Sequence, residues 1–310
     1  MATLIHHGVC DASAAIPLTP GHFLLAGDED NILRFYNATS TGGPILIADI
    51  AAYFPGNEKN AETDIEGASQ LGDTIFWITS HGRNRRGKHI AARYYFFANT
   101  VQLIDGELHH QSVGQSYQGL LEDMLNDPAL DKYELKKAAK RAPKSGGGLN
   151  IEGLAATPEQ KLLIGFRNPV PDDRALILQL ENPFGVLQGE RALFSEPIEL
   201  DLDGLGIRSI EYWPTKNCYL IIGGAFSGVR KFGIYRWSGK RDDLPERLNH
   251  LNFNDLNPEG LVIYPEEPDH FQIISDDGNV ERDNCRCKRL PEGHPGKYFR
   301  SQWFKLEIDE

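Results

Sequence analysis

The sequence predicts an all-β protein: a single β-propeller of about five four-stranded blades over residues 1–310, with one helical insertion. Three observations favour this fold. A unit of about 50 residues recurs along the chain, a period typical of propeller blades. Each unit reads as short apolar strands separated by Gly, Asp and Asn. A spare apolar segment precedes the first unit, and one strand is missing from the last unit.

The first four units each contain four candidate strands. In the second unit these strands cover 64–71, 73–80, 92–100 and 106–113. The fifth unit has only three, the last of them at 299–308. Residues 2–8 are therefore predicted to form the outer strand of the last blade, which closes the ring and removes exposed sheet edges. The alternative is a six-bladed ring, in which one long segment hides a degenerate unit.

Residues 115–145 do not fit the repeat. Leu121 and Met124 show helical spacing, and the Asp-Pro pair at 127–128 is typical of a helix start. This helical insertion is predicted between the second and third blades. We expect it to emerge beside Glu152 and overhang the channel mouth as a lid, with the following run of glycines as a hinge or a plain linker. We also expect a short linker to replace it without unfolding, because it would add little to the core between blades.

The charge and cysteine content favour a soluble, cytoplasmic protein. A net charge of −12 and a pI near 5.3 argue against binding to nucleic acid or an anionic membrane. No apolar stretch is long enough to span a membrane, and the first residues do not resemble a signal peptide. The oligomeric state stays open. Four cysteines are too few and too scattered for a disulfide framework, so we expect reduced thiols; the alternative is a soft metal at Cys285 and Cys287.

Four of the five units begin with a glutamate at what looks like the same place: Glu66, Glu152, Glu211 and Glu259. The innermost strands of a propeller meet at the channel mouth, so these side chains should form a ring. Clustered carboxylates raise each other's pKa unless a cation lies among them, and Ca²⁺ prefers oxygen ligands. The predicted cofactor is a divalent cation, calcium, bound by Glu66, Glu152, Glu211, Glu259, Asp276 and Asp277. The alternative is that each glutamate accepts backbone N–H bonds and fastens neighbouring blades.

The turns between second and third strands should open on the same face. Arg83 and Arg167 lie in two of these turns and would hold an anionic group through bidentate hydrogen bonds. His81 is the candidate general acid or base. The three residues would suit a phosphate or carboxylate ester, although each is also compatible with a solvated turn.

The Ile-Glu-Gly or Pro-Glu-Gly at blade starts, the arginine-bearing turn and the closing segment from Cys287 to Ser301 resemble an uncharacterised bacterial family of β-propellers of unknown function. The blade-start motif is also similar to that of phytase-like esterase propellers. That second resemblance implies channel-face carboxylates that bind calcium and act with basic residues on phosphate esters. Glu211 is followed by Tyr212, whereas each of the other three glutamates is followed by a glycine.

The sequence therefore predicts a divalent-metal-dependent hydrolase of a small anionic ester. The alternative is a non-catalytic propeller that uses the same face to bind a protein partner or a small ligand. The hydrolase requires a metal with an open coordination position, whereas the binding protein tolerates a ring closed by hydrogen bonds alone.

Overall fold

Five four-stranded antiparallel sheets form a ring in the computed structural model, which describes residues 2–306. The five-bladed propeller predicted from the sequence is confirmed. The first strand of each blade contacts the first strands of both neighbouring blades, so these five strands surround the axis. No helix among the described residues is long and apolar enough to cross a membrane.

The strands of each blade run from the axis outward. Blade 1 consists of β2 (Ala12–Thr19), β3 (His22–Gly27), β4 (Ile32–Asn37) and β5 (Leu46–Asp49). Blade 2 consists of β6 (Ile65–Leu71), β7 (Thr74–Thr79), β8 (Phe96–Ile104) and β9 (Glu107–Ser112). Blade 3 consists of β10 (Asn150–Ala156), β11 (Leu162–Asn168), β12 (Ala175–Leu180) and β13 (Ile198–Leu200).

Blades 4 and 5 follow the same plan. Blade 4 consists of β14 (Gly206–Trp213), β15 (Cys218–Gly224), β16 (Phe232–Trp237) and β17 (Glu246–Arg247). Blade 5 consists of β18 (Pro258–Ile263), β19 (His270–Ser275), β22 (Tyr298–Lys305) and β1 (Thr3–His7). A small hairpin in blade 5 is formed by β20 (Glu281–Arg282) and β21 (Cys285–Arg286). The α-helices are α1 (Leu120–Asn126), α2 (Leu135–Ala138) and α3 (Pro183–Val186). Short 3-10 helices cover Ala51–Tyr53, Ala91–Arg93, Pro128–Tyr133, Pro171–Asp173, Pro214–Lys216 and Cys287–Arg289.

The core lies between adjacent blades. Successive residues of a strand point to opposite faces of the sheet, so each blade contributes to two interfaces. In β7, Phe76 and Ile78 pack toward blade 3, whereas Ile75 and Trp77 pack toward blade 1. Five clusters of buried apolar side chains fill the five interfaces. Burial of these side chains holds the ring together.

Strand β1 completes the last blade, as predicted. It pairs with β22 in antiparallel register, with Thr3 opposite Gln302 and His7 opposite Tyr298. His6 is buried; its Nε2 lies 2.8 Å from Ser301 Oγ and its ring stacks on Phe299. Residues 307 and 308, the end of the predicted last strand, lie outside the described residues.

The helical insertion is part of the core between blades 2 and 3, which corrects the prediction that it adds little there. Leu120, Met124 and Leu130 are buried in the same cluster as Phe76 of blade 2 and Ile164 of blade 3. The predicted Asp-Pro start is present, since the Asp127 side chain accepts a hydrogen bond from the Ala129 N–H at 2.9 Å, although the turn it begins is a 3-10 helix.

A disulfide joins Cys10 to Cys287, which corrects the prediction of four reduced thiols. The two residues are 277 positions apart in sequence, but ring closure brings their Cα atoms to 5.9 Å. Cys218 and Cys285 are free. The disulfide fastens the entry to blade 1 to the segment between β21 and β22.

Candidate functional site

A cavity of about 530 Å³ lies where the innermost strands begin. All five blades contribute side chains to it. Eight of the lining residues are acidic, eight are basic and none is aromatic. Sugar rings and apolar ligands are usually held by aromatic or aliphatic surfaces. This lining instead suits a small, charged ligand.

A β-bulge in the first strand of every blade supplies one residue to the cavity. The pairing of first and second strands shifts register at the same place in all five blades. A bulge inserts one residue that is unpaired in the ladder and re-aims its side chain. The inserted residues, which we name the bulge ring, are Ser13, Glu66, Glu152, Arg208 and Glu259.

A small residue follows each member of the bulge ring, because neighbouring blades approach closely there. A Cβ atom added at Gly67 would lie 3.1 Å from the Glu152 carbonyl oxygen and 3.0 Å from Leu154 Cβ. One added at Gly153 would lie 2.8 Å from a methyl carbon of Ile207. The glycine after the glutamate is therefore required by the packing between blades.

The bulge ring is joined by polar contacts. Ser13 Oγ donates a 2.9 Å hydrogen bond to Glu66 Oε2. The Arg208 guanidinium forms an ion pair with Glu259, and its Nη1 lies 3.9 Å from Glu152 Oε2. Three carboxylate oxygens, one from each of Glu66, Glu152 and Glu259, lie within 4.8 Å of one another. Three carboxylates from three blades thus share one small volume.

Glu152 is the most enclosed of the three glutamates, with 2% of its surface exposed. Its Oε1 accepts hydrogen bonds of 2.6 Å from both Arg167 Nη1 and Asn150 Nδ2. Its Oε2 is buried and has no hydrogen-bond partner among residues 2–306. Arg167 is held in turn by the Ala225 carbonyl oxygen, which accepts from its Nε and Nη2, each at 3.2 Å.

The enclosure raises the pKa of several acidic residues in the cavity. Burial, reinforced by the negative charge of Glu152, raises the pKa of Glu66 well above its ordinary value. Burial and the neighbouring Asp11 do the same to the pKa of Asp28. Burial also raises the pKa of Asp276. A carboxylate cluster of this kind is relieved by a proton or by a cation.

A second acidic cluster lies at the blade 1 side of the cavity. One oxygen each from Asp11, Asp28 and Glu29 lie within 4.8 Å of one another. Lys288 Nζ lies 2.7 Å from Glu29 Oε1 and 3.6 Å from Asp11 Oδ1. Burial and the charge of Asp276 raise the pKa of Asp11 to about 7. Because Lys288 follows Cys287, the disulfide holds this lysine against the cluster.

Two predicted metal ligands lie outside the cavity. In blade 4 the position equivalent to the other glutamates is occupied by Arg208, three residues before Glu211. Glu211 pairs with Leu220 in the regular part of the β-ladder and does not line the cavity. Asp277 is fully buried and accepts hydrogen bonds from Arg282 at 2.6 Å and from Arg300 at 2.7 Å, so its charge is already paired. Glu66, Glu152, Glu259 and Asp276 do line the cavity, and their role as ligands stays a prediction.

His81 and Arg83 are also outside the cavity, whereas Arg167 lines it. His81 is fully buried, its Nδ1 lies 2.8 Å from the Thr79 carbonyl oxygen, and burial lowers its pKa to about 4. It is therefore neutral at neutral pH and has no access to a ligand in the cavity. Arg83 Nε donates a 2.8 Å hydrogen bond to the Ala139 carbonyl oxygen, so this arginine holds the helical insertion.

Four exposed basic side chains surround the cavity opening: Arg85, Arg86, Lys144 and Arg289. We name them the basic rim. None has a carboxylate within 4.0 Å among the described residues. Lys144 is the contribution of the insertion, whose end is fixed because Asn168 Nδ2 donates to the carbonyl oxygens of Pro143 and Ser145 at 2.7 and 2.8 Å. The helices themselves pack in the core, so only this end of the insertion borders the cavity.

Residues 101–275, more than half of the chain, match the family described as protein of unknown function (DUF3616). A comparison with curated protein sequences finds no match. Among solved structures, the glutaminyl cyclase of Myxococcus xanthus matches over 99% of this chain and 96% of its own, with 10% identity and a TM-score of 0.50. An engineered GH43 glycoside hydrolase matches over 99% of this chain and 53% of its own, with 11% identity and a TM-score of 0.50. At these identities the similarity shows the fold alone, and these neighbours with that fold are enzymes.

Proposed function

The chain belongs to the DUF3616 family of unknown function, and we propose from the geometry of its cavity that it is a divalent-cation-dependent hydrolase of a small anionic ester. The observation that carries the proposal is the approach of three carboxylates, Glu66, Glu152 and Glu259, within 4.8 Å. The calcium and the ester class follow the sequence resemblance to phytase-like propellers.

The donor atoms fit a calcium ion. Calcium binds oxygen ligands at about 2.3–2.6 Å, so oxygens up to roughly 5 Å apart can share one ion. The spacing of the three glutamates falls within that limit. The free Oε2 of Glu152 is a buried ligand atom without another partner among the described residues. Magnesium, with bonds of about 2.1 Å, sets a tighter limit of roughly 4.2 Å between oxygens on one ion.

A cation bound there would act as a Lewis acid on a phosphoryl or carbonyl oxygen of the ester. The basic rim supports an anionic substrate, because its four positive charges, none paired with a carboxylate among the described residues, attract an anion toward the cavity. Asp276 and Asp28 also line the cavity, and burial raises the pKa of both carboxyl groups, which favours their protonated forms.

Calcium titration of the wild type and of Glu66→Gln by calorimetry tests the cation site. Glu66 is the substitution of choice because, within the described chain, its carboxylate bonds only to Ser13. We expect the variant to lose at least about tenfold in calcium affinity. Glu211→Gln is the matched control, since this glutamate also lies on the first strand of a blade and is partly buried, but is outside the cavity; the variant should bind calcium as the wild type does.

The same proteins test the stabilising effect and the reaction. Calcium at 100 times its dissociation constant should add about 2.7 kcal/mol to the free energy of unfolding, and EDTA should remove it. Hydrolysis of p-nitrophenyl phosphate and p-nitrophenyl acetate should require calcium and fall in Glu66→Gln. Equal calcium titrations for the wild type and Glu66→Gln would contradict the cation site.

A second candidate is a non-catalytic propeller that binds a small anionic ligand or a protein partner on this face. The observation that favours it is that Glu152 and Glu259 already pair with Arg167 and Arg208, so arginines supply part of the positive charge that a metal would. Saturable binding without turnover of either ester would select this candidate. The cytoplasmic location stays a prediction. The Cys10–Cys287 disulfide bears against it, because disulfides persist in oxidising compartments and are rare in the cytosol.

A further inference from the structure

Arg208 is the one basic member of the bulge ring in the described chain. The other four blades place Glu66, Glu152, Glu259 or Ser13 at this position. Three clustered carboxylates alone would repel an anion. A guanidinium built into the same ring reverses that effect locally.

The guanidinium of Arg208 has hydrogen-bonding capacity that the protein leaves unused. Its side chain is 11% exposed, it forms an ion pair with Glu259, and its Nε is buried without a hydrogen-bond partner among residues 2–306. An arginine has five N–H donors, and a buried donor without a partner is costly. Arg167 differs, because Glu152 and Ala225 occupy its Nη1, Nη2 and Nε.

The side chain of Arg208 is held in place by its surroundings. The guanidinium carbon lies 5.3 Å from the centre of the Phe232 ring, within the range of a cation–π contact. A Cβ atom added at Gly224 would lie 2.5 Å from both Cδ and Nε of Arg208. The glycine at the end of β15 therefore leaves the space that the arginine fills, and the arginine is positioned before any ligand arrives.

We propose that Arg208 binds the oxyanion of the ligand at the bulge ring, so that the ligand is a small acid or its ester whose phosphate or carboxylate contacts Arg208 beside the three glutamates. The cation half of this arrangement rests on the proposed function; the contact with Arg208 does not. Arg208 remains positively charged at neutral pH, although burial and the neighbouring Arg167 lower its pKa to about 10.

The test is calorimetric titration of the full chain with inorganic phosphate and, separately, with acetate, each with EDTA and with CaCl₂. Arg208→Gln should weaken binding of the preferred anion at least about tenfold in EDTA. Arg208→Lys should recover only part of the loss, because lysine keeps the charge but not the planar fork. Arg236→Gln is the control, since Arg236 lies on β16 of the same blade and does not line the cavity.

Removing Arg208 alone leaves Glu259 with a buried, unpaired charge, which can unfold a protein. The double variant Arg208→Gln with Glu259→Gln removes both partners and should lose anion binding in the same way. The inference is overturned if Arg208→Gln binds both anions as tightly as the wild type does. If the single variant does not fold, the same result for the double variant overturns it. It is also overturned if the wild type binds neither more tightly than about 1 mM. Arg208-dependent binding in EDTA without any calcium binding would sustain this inference and reject the metal-dependent hydrolase.

Discussion

Replacing Cys10 and Cys287 by serine removes a covalent link across 277 residues of chain. A cross-link stabilises chiefly by restricting the unfolded chain, and the restriction grows with the logarithm of the loop length. A loop of this size corresponds to about 5.6 kcal/mol in the free energy of unfolding, slightly above the upper end of measured disulfide effects. For a chain of 310 residues that is a fall of about 9 °C in Tm.

Urea unfolding followed by circular dichroism measures this difference on the oxidised wild type, the reduced wild type and Cys10→Ser with Cys287→Ser. The reduced protein and the double variant should coincide. Cys285→Ser is the control, because Cys285 is free and only partly buried, and its loss should change stability by less than about 0.5 kcal/mol. Alkylation of the unfolded, unreduced protein should label two thiols, Cys218 and Cys285. Four labelled thiols, or equal stability of oxidised and reduced protein, would refute the reasoning.

Three other results are expected. Burial lowers the pKa of His6 to about 4, so between pH 6.5 and 4 the unfolded chain binds more protons than the folded one. The free energy of unfolding should therefore fall by about 3 kcal/mol as the pH is lowered over this range. Urea titrations at several pH values should show that His6→Gln removes this part of the fall. Deletion of residues 1–8 removes β1 from blade 5 and should expose the edge of β22, giving aggregation or a lower Tm by light scattering and calorimetry; a monomer that melts normally would contradict this. Replacement of 115–145 by a Gly/Ser linker should unfold the protein. It removes five buried side chains that each contribute about 1.5–3 kcal/mol, a sum comparable with the whole stability of a domain: Leu120, Met124, Leu130, Tyr133 and Leu135. A cooperative melt in the replaced protein would mean that blades 2 and 3 repack without the insertion.

The fold was predictable because local patterns determine each blade. Strand periodicity and turn residues mark four strands per unit, and the fifth unit lacks one. The chain can satisfy the hydrogen bonds of that edge only with residues 3–7, which is why closure by β1 followed from the count. The packing of the insertion was not predicted, because a segment outside the repeat was expected to overhang the channel mouth and add little to the core between blades. They fill a gap between blades 2 and 3 that no sequence pattern reveals.

Half of the site was predictable and the other half depended on register. Glu66, Glu152 and Glu259 were found because a glycine follows each of them. In blade 4 the glutamate at 211 misled the comparison, since the bulge lies three residues earlier. A three-residue pattern marks the bulge in the sequence: an apolar residue, then the member of the bulge ring, then a small residue. Ile207-Arg208-Ser209 has this pattern, as Ile65-Glu66-Gly67 does. The Cys10–Cys287 link had no signal, because only ring closure makes residues so distant in sequence into neighbours.

The pairing of β1 with β22 also determines when the protein can finish folding. Residues 3–7 leave the ribosome long before their partners in 298–305, because almost 300 residues of chain separate the two strands. At about 5–20 residues per second, β1 waits roughly 15–60 s for its sheet. During that time blades 1 to 4 can form in order of synthesis, while a short apolar strand stays unpaired beside them. The fifth blade is therefore the last to close, and a chaperone that covers residues 3–7 would act in that interval.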